Sequence, residues 1–232
     1  MQKDSKHFSI RIAAADTSQL PDFLAVEADR HLEDLSARYG WTIQKGLAIM
    51  CVRTQAEFAA RVTGLPRMDA SGVCFGNNVL FVSPQDMPRG APAINWSDVL
   101  RHELAHTVTV TLSDCRVPRW FTEGISVASQ AVIDTAWDVP FATAIEMGIL
   151  PELSSFNRWF NRPQYSWQVP AGYFMAGVFV QWFEAEHGPK ATRELLERFR
   201  TGEGGATALA AVSKEGLPQL QARFHERLKE LS

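Results

Sequence analysis

Two histidines and two carboxylates constrain this chain more than any other feature. His102 and His106 stand four residues apart in His102-Glu103-Leu104-Ala105-His106. On an α-helix, at about 100° per residue, they lie about 40° apart around the axis and one turn apart along it. Both imidazoles can then reach one ion, while Glu103 points aside toward a water next to that ion. A hydrolytic zinc site needs a third protein ligand. Glu123 is the candidate, seventeen residues beyond His106 in Pro118-Arg119-Trp120-Phe121-Thr122-Glu123-Gly124. A helix running to about Leu112 travels roughly 9 Å past His106, and a second helix starting near Arg119 and running back regains roughly 6 Å by Glu123. The connection, residues 113–118, is polar and ends in a proline suited to the first turn of a helix. The spacing therefore predicts a helical hairpin that returns the Glu123 carboxylate close to the level of His106.

The chemistry expected of such a group is hydrolysis. Zn2+ held by His102, His106 and Glu123 keeps one position for water and can bring its pKa to about 7. Glu103 would take the proton of that water as it attacks a carbonyl, and pass it to the leaving amine.

Taken together, His102-Glu103-x-x-His106 and Trp120-Phe121-Thr122-Glu123-Gly124 resemble the gluzincin metallopeptidases, specifically the peptidase MA-like group. The likeness extends upstream to a strand at residues 48–52 followed by a helix containing Gln55-Ala56-Glu57-Phe58. A glycine-rich strand pair comes next, Gly72-Val73-Cys74-Phe75-Gly76 with residues 79–82. Downstream, Gly172-Tyr173-Phe174 and Glu186-His187-Gly188 also fit the pattern, so the resemblance covers residues 7–200, with high specificity at 102–106 and 120–124.

The resemblance implies a zincin-like fold, a zinc cofactor and a peptide or protein substrate. It also implies an oxyanion donor from a later helix: Tyr173 is the candidate, Tyr165 a close rival and His187 a weaker one. Domains of this kind often sit beside helical repeats. This chain contains none, which fits a solitary form or a catalytic domain from a longer parent protein. The Gly-x-Met-Glu-Asn sequence with which aminopeptidase gluzincins hold a free amino terminus is absent, which favours an endopeptidase. Valine at position 127, where some relatives carry a supporting Asp, leaves open which groups orient the histidines.

Beyond the motifs, the fold class expected is α+β, with a mixed sheet lobe at about 7–92 and a helical lobe at about 93–232 forming one catalytic domain. A hydrophobic content of 46% over 232 residues is enough for a substantial core. A net charge of -3 with scattered Lys and Arg gives no electrostatic footprint for nucleic acid. The longest apolar run, residues 171–180, is far below the roughly 20 residues needed to span a bilayer. The polar amino terminus lacks the apolar core of a secretory signal, so the chain as given is expected to be soluble. Cys51, Cys74 and Cys115 are expected as free thiols.

Alternation and periodicity predict strands at 7–13, 46–53 and in two runs near 72–83, and a helix at 19–38. A proline-rich loop is expected at 84–92, with Asn95 or Ser97 capping the helix of the histidine pair. Helices are expected near 119–134, 138–147, 171–187, 190–201 and 215–230, with a glycine-rich break at 202–205 separating the last two. The glycine-flanked stretch 72–76 suits an edge strand that an extended substrate could join. Arg158 and Arg162, which flank Trp159 and Phe160, read as solvated loop arginines, with the lining of a substrate pocket as the alternative. Two alternatives stand beside the peptidase reading: a catalytically silent peptide-binding or scaffold module, which would have no chemical need for Glu103, and zinc-dependent hydrolysis of a non-peptide amide.

Overall fold

Alternating side chains in Phe8-Ser9-Ile10-Arg11-Ile12 put Phe8, Ile10 and Ile12 into the interior, and this strand is one of the inner strands of the first unit's sheet. The computed structural model describes residues 1–13, 20–64, 70–83, 95–131 and 133–232. These residues form two compact units, Met1–Val108 and Thr109–Ser232. The expected loop at 84–92 lies outside the described residues.

The first unit runs β1 (Gln2–Asp4), β2 (Phe8–Ile12), α1 (Leu20–Tyr39), β3 (Leu47–Val52), α2 (Gln55–Thr63), β4 (Gly72–Phe75), β5 (Asn78–Val82) and the start of α3 (Trp96–Leu112). Its described strands form a sheet of order β1-β2-β3-β5-β4. The three inner strands are parallel, with Ile10 opposite Ile49 and Ile49 opposite Val79, and β1 and β4 are antiparallel edges. Parallel neighbours need a crossover, and α1 and α2 lie in those connections. Strand β1 is an addition to the sequence reading: Gln2-Lys3-Asp4 has no apolar alternation and pairs only as an edge.

The second unit is helical: α4 (Arg119–Ser129), a 3-10 turn at Thr135–Trp137, α5 (Asp138–Glu146), α6 (Asn157–Asn161), α7 (Gln168–His187), α8 (Pro189–Arg200), α9 (Gly205–Ser213) and α10 (Leu217–Lys229). Phe179 of α7 sits at its centre, with ring contacts to Trp120, Phe121, Phe183 and Phe224. The expected helix at 119–134 stops at Ser129. Helices α6 and α9 depart from the expected pattern. The first is a five-residue turn, and the second fills with Ala, Leu and Val a span for which the glycine run at 202–205 predicts only a simple break.

The fold is thus α+β, with a small mixed sheet. The division between the two compact units falls inside α3. Among the described residues no helix is long and apolar enough to cross a membrane. None of the three cysteines is in a disulfide; Cys51 is buried, Cys74 half-buried and Cys115 exposed.

Candidate metal centre

Helix α3 is preceded by Asn95, whose side-chain oxygen accepts from the backbone N–H groups of Ser97 at 3.1 Å and Asp98 at 3.4 Å. Asn95, not Ser97, is therefore the cap. The Ser97 hydroxyl instead donates to Glu27 at 2.6 Å and lies 2.8 Å from His31 Nε2. Arg101 Nη1 lies 3.1 Å from His31 Nδ1, and its other nitrogen pairs with Asp34. Burial first, then Arg30 and Arg101, push the His31 pKa down to about 4. Glu27 is held at about 2, chiefly by hydrogen bonds from Arg30 and Ser97. The first turns of α3 are thus fastened to α1 through a partly buried polar network centred on the buried His31, which no spacing rule in the sequence discloses.

One turn further along α3, the imidazoles of His102 and His106 face each other. Their Nε2 atoms are 3.2 Å apart and the rings meet edge to face. Two nitrogens bound to one tetrahedral zinc at about 2.0–2.1 Å would stand about 3.3 Å apart, so the separation fits a shared ion. Glu103, between them in sequence, is 7% exposed, and its carboxylate lies against the backbone of Gly72 on β4. Two residues along, Cys74 Sγ lies 3.4 Å from Thr107 Oγ1. Strand and helix advance together here, since two strand residues rise about 6.6 Å and four helical residues about 6 Å.

The turn after α3 is closed by its own backbone. Cys115 N–H donates to Val110 O at 2.8 Å, with Asp114 and Cys115 in the left-handed region. Ser113 Oγ donates to Thr109 O at 2.7 Å and accepts from Val117 N–H at 3.2 Å. Pro118 occupies the cap position rather than the first turn, because its extended ψ of 139° is not helical. It provides no side-chain cap. That role falls to Asn157 of α6, whose Oδ1 accepts from Trp120 N–H at 3.0 Å. The hydroxyls of Thr109 and Thr122 then bridge the two arms at 2.6 Å.

Glu123 is 8% exposed on α4. Arg119 Nε lies 3.5 Å from its Oε1, and the Arg119 guanidinium also sits over the Phe160 ring and donates to Phe160 O. Gly124 is where α4 meets α7. A Cβ there would lie 2.6 Å from the Ala176 carbonyl oxygen, and one at Gly177 would lie 2.5 Å from Val127 Cγ1. Val127, expected only as a missing Asp, thus packs the helix crossing that carries Glu123. Ligand atoms of His102, His106 and Glu123 lie within 4.8 Å of one another. Two neutral nitrogens and one carboxylate suit a borderline-soft divalent ion such as Zn2+.

The tyrosines are placed as follows. Tyr173, in the second turn of α7, is half-buried, with its ring stacked on Trp137 and edge-on to Phe160. Tyr165 precedes α7, is 42% exposed and stacks on Trp167. His187 ends α7. Arg158 and Arg162 are exposed and line a 340 Å³ surface cavity together with Trp159 and Gln168. No family model matches this chain, and none of the curated proteins matches it either.

Proposed function

We propose that this protein is a gluzincin-like zinc metallopeptidase with a zincin-like fold, acting as an endopeptidase on an extended stretch of peptide or protein. The observation that carries the reading is the convergence of His102, His106 and Glu123, with the two imidazole nitrogens at a separation fit for one ion. When bound, the zinc supplies Lewis acidity to a substrate carbonyl and makes a water more acidic.

The chain's own residues divide the remaining work. Glu103 accepts the proton of the attacking water at its carboxylate and delivers it to the leaving amine. Its burial against Gly72 limits competing hydration of that carboxylate and fixes its direction. Arg119, beside Glu123, orients the third ligand. Tyr173 is the proposed oxyanion donor, with Tyr165 the rival. Support for Tyr173 is its place on α7 one turn before Ala176 and Gly177, which approach α4 beside Glu123. Strand β4 is a sheet edge, and among the described residues no further strand pairs with it. It is the proposed rail on which a substrate backbone is hydrogen-bonded irrespective of its side chains.

A silent peptide-binding module would hold the ion with three ligands and have no use for Glu103. The two readings separate on a zinc titration followed by equilibrium dialysis for wild type, His106→Ala and Glu103→Gln. The peptidase reading expects His106→Ala to bind one ion fewer than wild type, and Glu103→Gln to bind as many as wild type but cleave no peptide. Equal zinc in wild type and His106→Ala would overturn the metal centre, and unaltered cleavage by Glu103→Gln would overturn the base.

A further inference from the structure

We infer that the second unit carries a separate site for a divalent transition-metal ion, built from Glu186, His187 and Glu215. Ligand atoms of these three residues lie within 4.8 Å of one another. The group joins the last turn of α7 to the turn between α9 and α10. A histidine and two carboxylates are a donor set that zinc, cobalt and nickel accept.

Arg223 sets the geometry. Its Nη1 donates to Glu215 Oε1 at 2.5 Å and its Nη2 to Glu186 Oε1, while its guanidinium lies over the Trp182 ring at 5.3 Å. Each carboxylate therefore commits one oxygen to Arg223 and keeps the other. The second oxygen of Glu186 lies 3.8 Å from His187 Nε2. The second oxygen of Glu215 is shielded from solvent and has no hydrogen-bond partner, and the same holds for His187 Nε2. Buried polar atoms are rarely left unmatched, and an unassigned ion or water is one of the few physical reasons for it. Here two such atoms belong to residues of one cluster and are both good metal donors. Charge points the same way: two carboxylates against one guanidinium leave a net -1 with neutral imidazole, so a divalent ion enters an attractive site. The His187 ring is steadied by Phe183, with centroids 4.6 Å apart, and the exposed side of Glu186 leaves room for water to complete the coordination. Bound there, the ion fastens the end of α7 to the entry of α10.

Zn2+ binding by equilibrium dialysis and Co2+ binding by visible absorption, on the full chain, test the site. The proteins compared are wild type, His106→Ala, His187→Ala, His106→Ala/His187→Ala and His106→Ala/Glu215→Gln. The expected result is one Zn2+ per chain in His106→Ala, none in His106→Ala/His187→Ala, and at least tenfold weaker binding in His106→Ala/Glu215→Gln, where glutamine can still accept from Arg223. Far-UV circular dichroism identifies any variant that fails to fold, and the glutamine variant then carries the test. Absence of zinc in folded His106→Ala would contradict the site, as would binding that neither second substitution weakens. If instead the His102 centre does not exist, wild type and His106→Ala bind equally while His187→Ala still removes one ion, so the two failures are distinguishable.

Discussion

Gly72 and Glu103 meet so closely that no other residue fits at position 72 without moving the carboxylate: a Cβ there would lie 2.8 Å from both Cγ and Oε1 of Glu103. The glycine therefore sets the position of the proposed base from the strand side. Gly72→Ala should reduce peptide cleavage at least tenfold by displacing Glu103, while zinc binding by His102 and His106 persists. Parallel measurement of cleavage rate and bound zinc checks this, and unchanged cleavage would show that the contact has no part in catalysis.

Glu123 depends on a helix crossing that has no room for a methyl group. Gly124→Ala would drive a Cβ to 2.6 Å from the backbone oxygen of Ala176, which cannot rotate away as a side chain can. A loss of about 1–3 kcal/mol is expected from overpacking. Gly204 is the control: a Cβ there would meet nothing within 4 Å and its φ is -68°, so Gly204→Ala should change stability much less. Urea unfolding midpoints decide between them.

The cap on α4 comes from elsewhere in the chain. Replacing Asn157 with Ala leaves the Trp120 N–H without its partner at the start of the helix that bears Glu123, and should cost about 1 kcal/mol. Chemical denaturation measures the loss, and a weakened zinc affinity should accompany it.

The proposed centre is legible in the sequence because its logic is local. Helical spacing of His102 and His106, a polar turn and the return at Arg119 reproduce the observed end of α3 at Leu112 and the start of α4 at Arg119. What supports the centre is not legible, since it depends on partners distant in sequence. Asn157 lies 37 residues from the N–H it accepts, and Ser97 reaches 66 residues back to His31. Gly124 reads in the sequence as a motif letter and proves to be a packing requirement. Glu186 and His187 are visible as adjacent residues, but Glu215 joins them only through the fold of α8 to α10.

His31 makes the first unit sensitive to acid. Its folded pKa, about 4, lies below the ordinary 6.5, so the folded state keeps it neutral while the unfolded chain takes up a proton. Stability is fully present above about pH 6.5 and falls as pH drops toward 4, by up to about 3 kcal/mol. Glu27, held at about 2 against an ordinary 4.5, extends the loss from pH 4.5 downward as it becomes protonated. Unfolding midpoints measured from pH 7.5 to 4.5 should fall for wild type and lie on a flatter line for His31→Gln.

The most direct test of the account is cleavage of an unfolded protein such as casein, with new termini identified by mass spectrometry, for zinc-loaded wild type, chelator-treated wild type and zinc-loaded Glu103→Gln. The account predicts cleavage by zinc-loaded wild type, its loss on metal removal, and cleavage by zinc-loaded Glu103→Gln slower by roughly 10²–10⁴-fold. Cleavage that survives both metal removal and the loss of Glu103 would contradict it.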